Sequence, residues 1–153
     1  MEWEVTGIGV PPVARSKEVE EHNHALSFLV IDDDQVQRMV LGKVGSKIGY
    51  SVTNAATVED AIKEIERQKF DCIALDLALN GQNGILILGE IAKYNSDALL
   101  IIVSGASEAV REETLRLATH FHLDIVDLPK PVDLVVLRTL LSTHVKLVQP
   151  SWL

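Results

Sequence analysis

From residue 26 onward the chain alternates short aliphatic runs with longer stretches whose apolar residues recur at helical spacing, five times over. Residues 26–31 (Leu-Ser-Phe-Leu-Val-Ile) read as a first strand. Residues 35–48 carry Val36, Met39, Val40, Val44 and Ile48 as the apolar positions of a helix, with Gly49 where a C-cap glycine stands. Residues 50–53 are a brief second strand. Thr57 then caps a helix with Ala61, Ile62 and Ile65 on one face and Asp60 three residues after the cap. Phe70 and residues 72–75 form a third strand, residues 84–94 a third helix and residues 98–103 a fourth strand. Ser107 caps a fourth helix running to about Phe121, residues 123–128 are the fifth strand, and residues 132–147 the last helix. Five such units predict an α/β fold of three layers, a doubly wound (βα)5 parallel sheet of five strands with right-handed crossovers.

Composition agrees with a sheet buried on both faces. Hydrophobic residues make up 47% of the 153-residue chain and aromatics only 5%, so the core is aliphatic. The length suits one domain with short extensions: a domain at 26–148, a flexible N-terminal tail at 1–25 and a short C-terminal tail at 149–153. The N-terminal stretch holds Gly7, Gly9, Pro11 and Pro12, then the charged run Ser16-Lys-Glu-Val-Glu-Glu-His22.

With 14 basic and 22 acidic residues the chain has a net charge of -8, which argues against a nucleic-acid partner. No apolar run approaches the roughly 18–20 residues of a membrane span, so no membrane partner is expected. Cys72 has no second cysteine to pair with, which suits a cytoplasmic setting.

In an open parallel sheet, ligands bind beyond the carboxyl ends of the strands, where strand order reverses. Strand one ends in Asp32-Asp33-Asp34, strand three in Asp76, and strand four in Ser104-Gly105. Strand five is followed by Lys130-Pro131. Acids, a hydroxyl and a lysine therefore converge on one rim. Clustered carboxylates repel unless a cation neutralises them, and Mg²⁺ takes oxygen ligands readily. A carboxylate beside such an ion can attack phosphorus and form an acyl phosphate, with metal and ammonium offsetting charge on the transferring group.

These motifs together resemble the receiver domains of two-component response regulators over residues 26–142. The marks are Phe28-Leu-Val-Ile-Asp-Asp33, Asp76 with Gly84 eight residues on, Val103-Ser104-Gly105 and Lys130-Pro131. The resemblance implies a flavodoxin- or CheY-like fold with strand order 2-1-3-4-5. It implies a signalling domain rather than an enzyme, with Mg²⁺ as cofactor. Asp76 would be the phosphoacceptor. Asp33 would ligate the metal, with Asp32, Asp76 and the backbone carbonyl of Ala78. Lys130 and Ser104 would contact the phosphoryl group, and the smaller Gly105 would open access to it. The donor would be a phosphohistidine on a kinase or phosphotransfer protein. The downstream target is a further, unnamed protein, and a homodimer stays open.

Three positions depart from the family pattern. Asn80 stands where proline is usual and Asn83 where aspartate is frequent. Asp127 replaces an aromatic residue whose ring moves with the hydroxyl residue, which makes it an altered switch position.

Plainer readings stand beside these. Asp34 has Gln37 three residues on and reads as a helix cap more readily than as a third ligand. The peptide before Pro131 is a candidate cis bond. His22 with His24, and His120 with His122, lack the further Cys or acid ligands of a zinc site. Cys72 reads as a small buried hydrophobe. Two rival functions share some of these residues. A haloacid-dehalogenase-type phosphohydrolase matches Asp32-Asp33-Asp34-Gln35-Val36, Ser104 and Lys130, but needs an acid pair after the lysine and gives Asp76 no role. A receiver-like module that works without phosphate fits Asp127, but not the complete Asp33, Asp76, Ser104 and Lys130 set.

Overall fold

A computed structural model describes residues 26–79 and 82–148. The expected tails at 1–25 and 149–153 therefore lie outside the described residues. The elements run β1 (Ser27–Ile31), α1 (Gln35–Ile48), β2 (Ser51–Ala55), α2 (Val58–Arg67), β3 (Cys72–Leu75), β4 (Ala78–Leu79), β5 (Gln82–Asn83), α3 (Leu86–Tyr94), β6 (Leu99–Ser104), α4 (Glu108–His120), β7 (Asp124–Pro129) and α5 (Leu134–Val148). Five strands form one parallel sheet in the order β2-β1-β3-β6-β7. This is the expected 2-1-3-4-5 once the small strands β4 and β5 are left out of the count. Those two form an antiparallel pair of their own, which the strand pattern did not suggest.

The sheet has an apolar layer on each face, as β strands alternate their side chains. On one side Leu29, Ile31, Ile73, Leu75, Leu100 and Ile102 meet Ala61, Ile65, Ile87, Leu88, Ile91 and Ala118 of α2, α3 and α4. On the other, Leu26, Phe28, Val30, Cys72, Ile101 and Val103 meet Leu41 of α1 and Leu137 and Leu141 of α5. Burial pushes the Cys72 thiol up to about 12, so it packs as a hydrophobe.

The helix caps are those read from the sequence. Asp34 accepts from the N–H groups of Val36 and Gln37, Thr57 from Asp60 and Ser107 from Val110. Gly49 ends α1 at φ 118. Strand and helix ends shift by a residue or two from the expected bounds. Helix α3 starts at Leu86 rather than 84, because Gly84 and Ile85 form a turn.

The expected inner face of α1 needs correction. Val36 and Met39 are 66% and 64% exposed, and the buried residues of the helix are Leu41, Gly42 and Gly45. A Cβ on Gly45 would lie 2.6 Å from Cδ2 of the buried Phe28. Glycine lets α1 settle onto the sheet, and apolar periodicity cannot see it because glycine has no side chain to count. Gly45→Ala should therefore lower the unfolding free energy measured by urea titration by the cost of overpacking, about 1–3 kcal/mol. Gly89 sits within α3 with open space at its Cβ, so Gly89→Ala should instead raise stability by roughly 0.5–1 kcal/mol. Equal effects at the two positions would contradict this packing.

Candidate functional site

The rim residues meet because the strands are in register. Ile31 lies opposite Leu75, so Asp32 and Asp76 follow at the same level on neighbouring strands. The backbone holds them there: Asp76 N–H donates to the Ile31 carbonyl at 2.9 Å and Asp32 N–H to the Ala55 carbonyl at 3.1 Å. Asp32 and Asp76 are almost fully buried, Asp33 is half-buried, and ligating oxygens of all three lie within 4.8 Å of one another. Among the described residues this is the one cluster of three or more acid, His or Cys side chains suited to a metal ion. Asp34 is not part of it, and His120 and His122 form no such group.

The Lys130 ammonium reaches into this cluster from the end of β7. It donates to Asp76 Oδ2 at 3.0 Å and lies 3.6 Å from Asp32 Oδ2. The Lys130–Pro131 peptide is cis. The remaining oxygens are held by the backbone: Asp76 Oδ1 accepts from Ala78 N–H at 3.0 Å and Asp32 Oδ1 from Asp34 N–H at 2.9 Å. Asp32 Oδ2 alone is buried with no hydrogen-bond partner among the described residues.

Electrostatics follow from this crowding. Burial raises the Asp32 carboxyl above its ordinary value. The Asp34 N–H opposes that rise, the Asp76 charge adds to it, and Lys130 offsets part of it. For Lys130, burial works against the ammonium, but the Asp76 hydrogen bond and the charges of Asp76 and Asp32 outweigh it and hold the group above its usual value. A buried carboxylate oxygen without a donor, beside two further acids, is what a hard divalent cation satisfies. The donor set is all oxygen, which suits Mg²⁺ or Ca²⁺ over softer metals.

Ser104 ends β6 on the same rim. It is buried, and its Oγ accepts from Ala106 N–H at 3.0 Å. Gly105 is exposed, and an added Cβ would meet nothing within 4 Å, so the space beside it is open. Ala78 opens β4. Gly84 is required by close approach: a Cβ would sit 2.9 Å from the Asp76 carbonyl oxygen and 2.9 Å from Leu77 Cα. Asn83 lies in β5, and Asn80 lies outside the described residues.

Two arginines escaped the sequence reading. Arg38 Nη1 donates to the Asp32 carbonyl at 2.6 Å, bracing the turn into α1. Arg111 of α4 pairs with Asp127 of β7, an ion pair between helix and strand. Neither has a local signal, since the partners lie 6 and 16 residues apart and meet only through the fold.

The family model for the response regulator receiver domain matches residues 28–142. The chain belongs to that family. It is 27% identical over 123 residues to sporulation initiation phosphotransferase F of Bacillus subtilis, covering 78% of this chain and 94% of that protein. It is 31% identical over 81 residues to chemotaxis protein CheY of Thermotoga maritima, covering 52% of this chain and 68% of that one. A crystal structure of a response regulator from Burkholderia pseudomallei, with a phosphorylated aspartic acid, calcium ion and citrate, is similar at a TM-score of 0.67. Its identity is 28%, over 81% of this chain and 71% of that chain. A receiver domain from Methanospirillum hungatei shares the fold at a TM-score of 0.68 and 23% identity, covering 80% of this chain and 98% of that one. The receiver domain described here also has no helix, among the described residues, long and apolar enough to cross a membrane.

The sign of the Asp32 shift sets a test. A carboxyl raised on folding removes no stability below its unfolded value and removes increasing stability as pH rises through its folded value. In metal-free buffer at pH 7, Asp32→Asn is therefore expected to raise the unfolding free energy. The gain should shrink as pH falls through the carboxylate range. Urea titrations at several pH values measure it, and a loss of stability at pH 7 would contradict the geometry.

Proposed function

We propose that this receiver domain, residues 26–148, accepts a phosphoryl group on Asp76 from a phosphohistidine donor and signals through a conformational shift. The observation that carries the reading is the Asp76 carboxylate, buried at the rim, hydrogen-bonded by Lys130 at 3.0 Å and grouped with Asp32 and Asp33. Asp33, Asp32, Asp76 and the Ala78 carbonyl would hold Mg²⁺. When bound, that ion offsets the repulsion of the acids and the charge on the phosphoryl oxygens. The calcium ion and phosphorylated aspartic acid named for the Burkholderia pseudomallei structure support an acidic cation site beside an acceptor.

The chain's own groups divide the work. One Asp76 oxygen attacks phosphorus as the phosphorus–nitrogen bond of the donor breaks, and the electron pair leaves with the imidazole. Lys130 already points at Asp76 and would follow the new phosphoryl group with its ammonium. The Ser104 hydroxyl would give up the Ala106 N–H to hydrogen-bond that group, which couples the site to the loop before α4. Open space at Gly105 leaves the approach clear. Donor and target are then other proteins, a histidine kinase or phosphotransfer protein upstream and a signalling partner downstream, and a cytoplasmic location belongs to the same reading. The dehalogenase-type alternative loses support from the family match, because its nucleophile would be Asp32.

Intact mass spectrometry after incubation with Mg²⁺ and acetyl phosphate tests the proposal. Wild type should gain one phosphoryl group, and Asp76→Asn or added EDTA should abolish the gain. No gain with either acetyl phosphate or a phosphohistidine donor would favour a module that works without phosphate.

A further inference from the structure

Helices α1 and α5 leave a groove of about 300 Å³ between them, floored by Val40, Val44, Leu134 and Val135. Its walls carry Lys43, Lys47 and Arg138. Among the described residues none of the three is paired with a carboxylate, although acids outnumber bases 22 to 14 in the chain. A cationic rim around an apolar floor selects an acidic segment with an apolar side chain.

The chain itself supplies one. Residues 18–21 read Glu-Val-Glu-Glu, three acids around Val19, within an N-terminal stretch whose acids are Glu2, Glu4, Glu18, Glu20 and Glu21 against Arg15 and Lys17. The first described residue, Leu26, lies on the groove's side of the sheet. Leu26 is buried in the layer that Leu41, Leu137 and Leu141 complete, with Val44 and Ile48 of α1 packed against it. Glu18 precedes Leu26 by eight residues, a reach of up to about 26 Å. The groove extends along α1 from Lys47 back to Val40, about 10 Å of helix. Tethering also raises the local concentration of the segment to the millimolar range, so a weak contact suffices.

We propose that residues 18–21 seat on the α1–α5 groove of their own chain, with Glu18, Glu20 and Glu21 facing Lys43, Lys47 and Arg138. The groove is then occupied by the protein's own acidic segment. The inference does not rest on phosphorylation of Asp76.

Paramagnetic relaxation enhancement on the full, unphosphorylated chain tests it. Ser16→Cys places a nitroxide label beside the segment, and Cys72, fully buried, is protected from the reagent. Broadening should concentrate on the amides of residues 40–47 and 134–138 and persist on dilution. Reversing the segment to E18K/E20K/E21K should lower the docked fraction about tenfold, the expectation for three exposed ion pairs. Adding K43E/K47E/R138E to that variant should restore it. The segment reversal lies outside the packed sheet and decides the matter even if the groove reversal unfolds the chain. Broadening spread evenly, centred on another face or indifferent to charge reversal would overturn the proposal. So would broadening seen only between spin-labelled and separately isotope-labelled molecules, which would assign the groove to a second copy.

Discussion

Three carboxylates held together at the end of a buried sheet are the constraint around which the rest of this structure is arranged. Left alone, Asp32, Asp33 and Asp76 repel, and burial of Asp32 makes its charge costly. Lys130 offsets part of that cost, and the backbone N–H groups of Asp34 and Ala78 satisfy two of the oxygens. One oxygen of Asp32 is left without a donor. A cation bound among these acids would relieve their repulsion and satisfy that oxygen.

The fold explains how such a site is kept together. Parallel strands deliver β1 and β3 side by side, so Asp32 and Asp76 end at one level. The same topology brings β7 to the other side of β6, and Lys130 arrives from there. Small residues set the close approaches. Gly84 lets the turn before α3 pass over the Asp76 backbone, and Gly45 lets α1 rest on Phe28. Rigid strands with short loops at their ends hold the groups in place before any ligand arrives.

Much of this was legible because it is local or periodic. Apolar runs gave the strands, and Asp34, Thr57, Ser107 and Gly49 gave the helix boundaries through capping chemistry. The acids, Ser104 and Lys130 were legible because a doubly wound sheet sends its strand ends to one rim. What was not legible depended on partners distant in sequence or on the lack of a side chain. Val36 and Met39 look like core in a helical pattern, yet Leu41, Gly42 and Gly45 face the sheet. The β4–β5 pair is two residues per strand, too short for any pattern. Arg111 could not be assigned to Asp127 before the fold placed α4 beside β7. That pair ties Asp127 to α4.

The central claim is that the three acids form a site for one hard divalent cation. Isothermal titration of Mg²⁺ into wild type and Asp33→Asn tests it most directly, because Asp33 is the least buried of the three and its replacement perturbs the core least. One Mg²⁺ should bind per wild-type chain, with a large loss of affinity in Asp33→Asn. A wild type that binds no Mg²⁺, or an Asp33→Asn variant that binds it equally well, would contradict it.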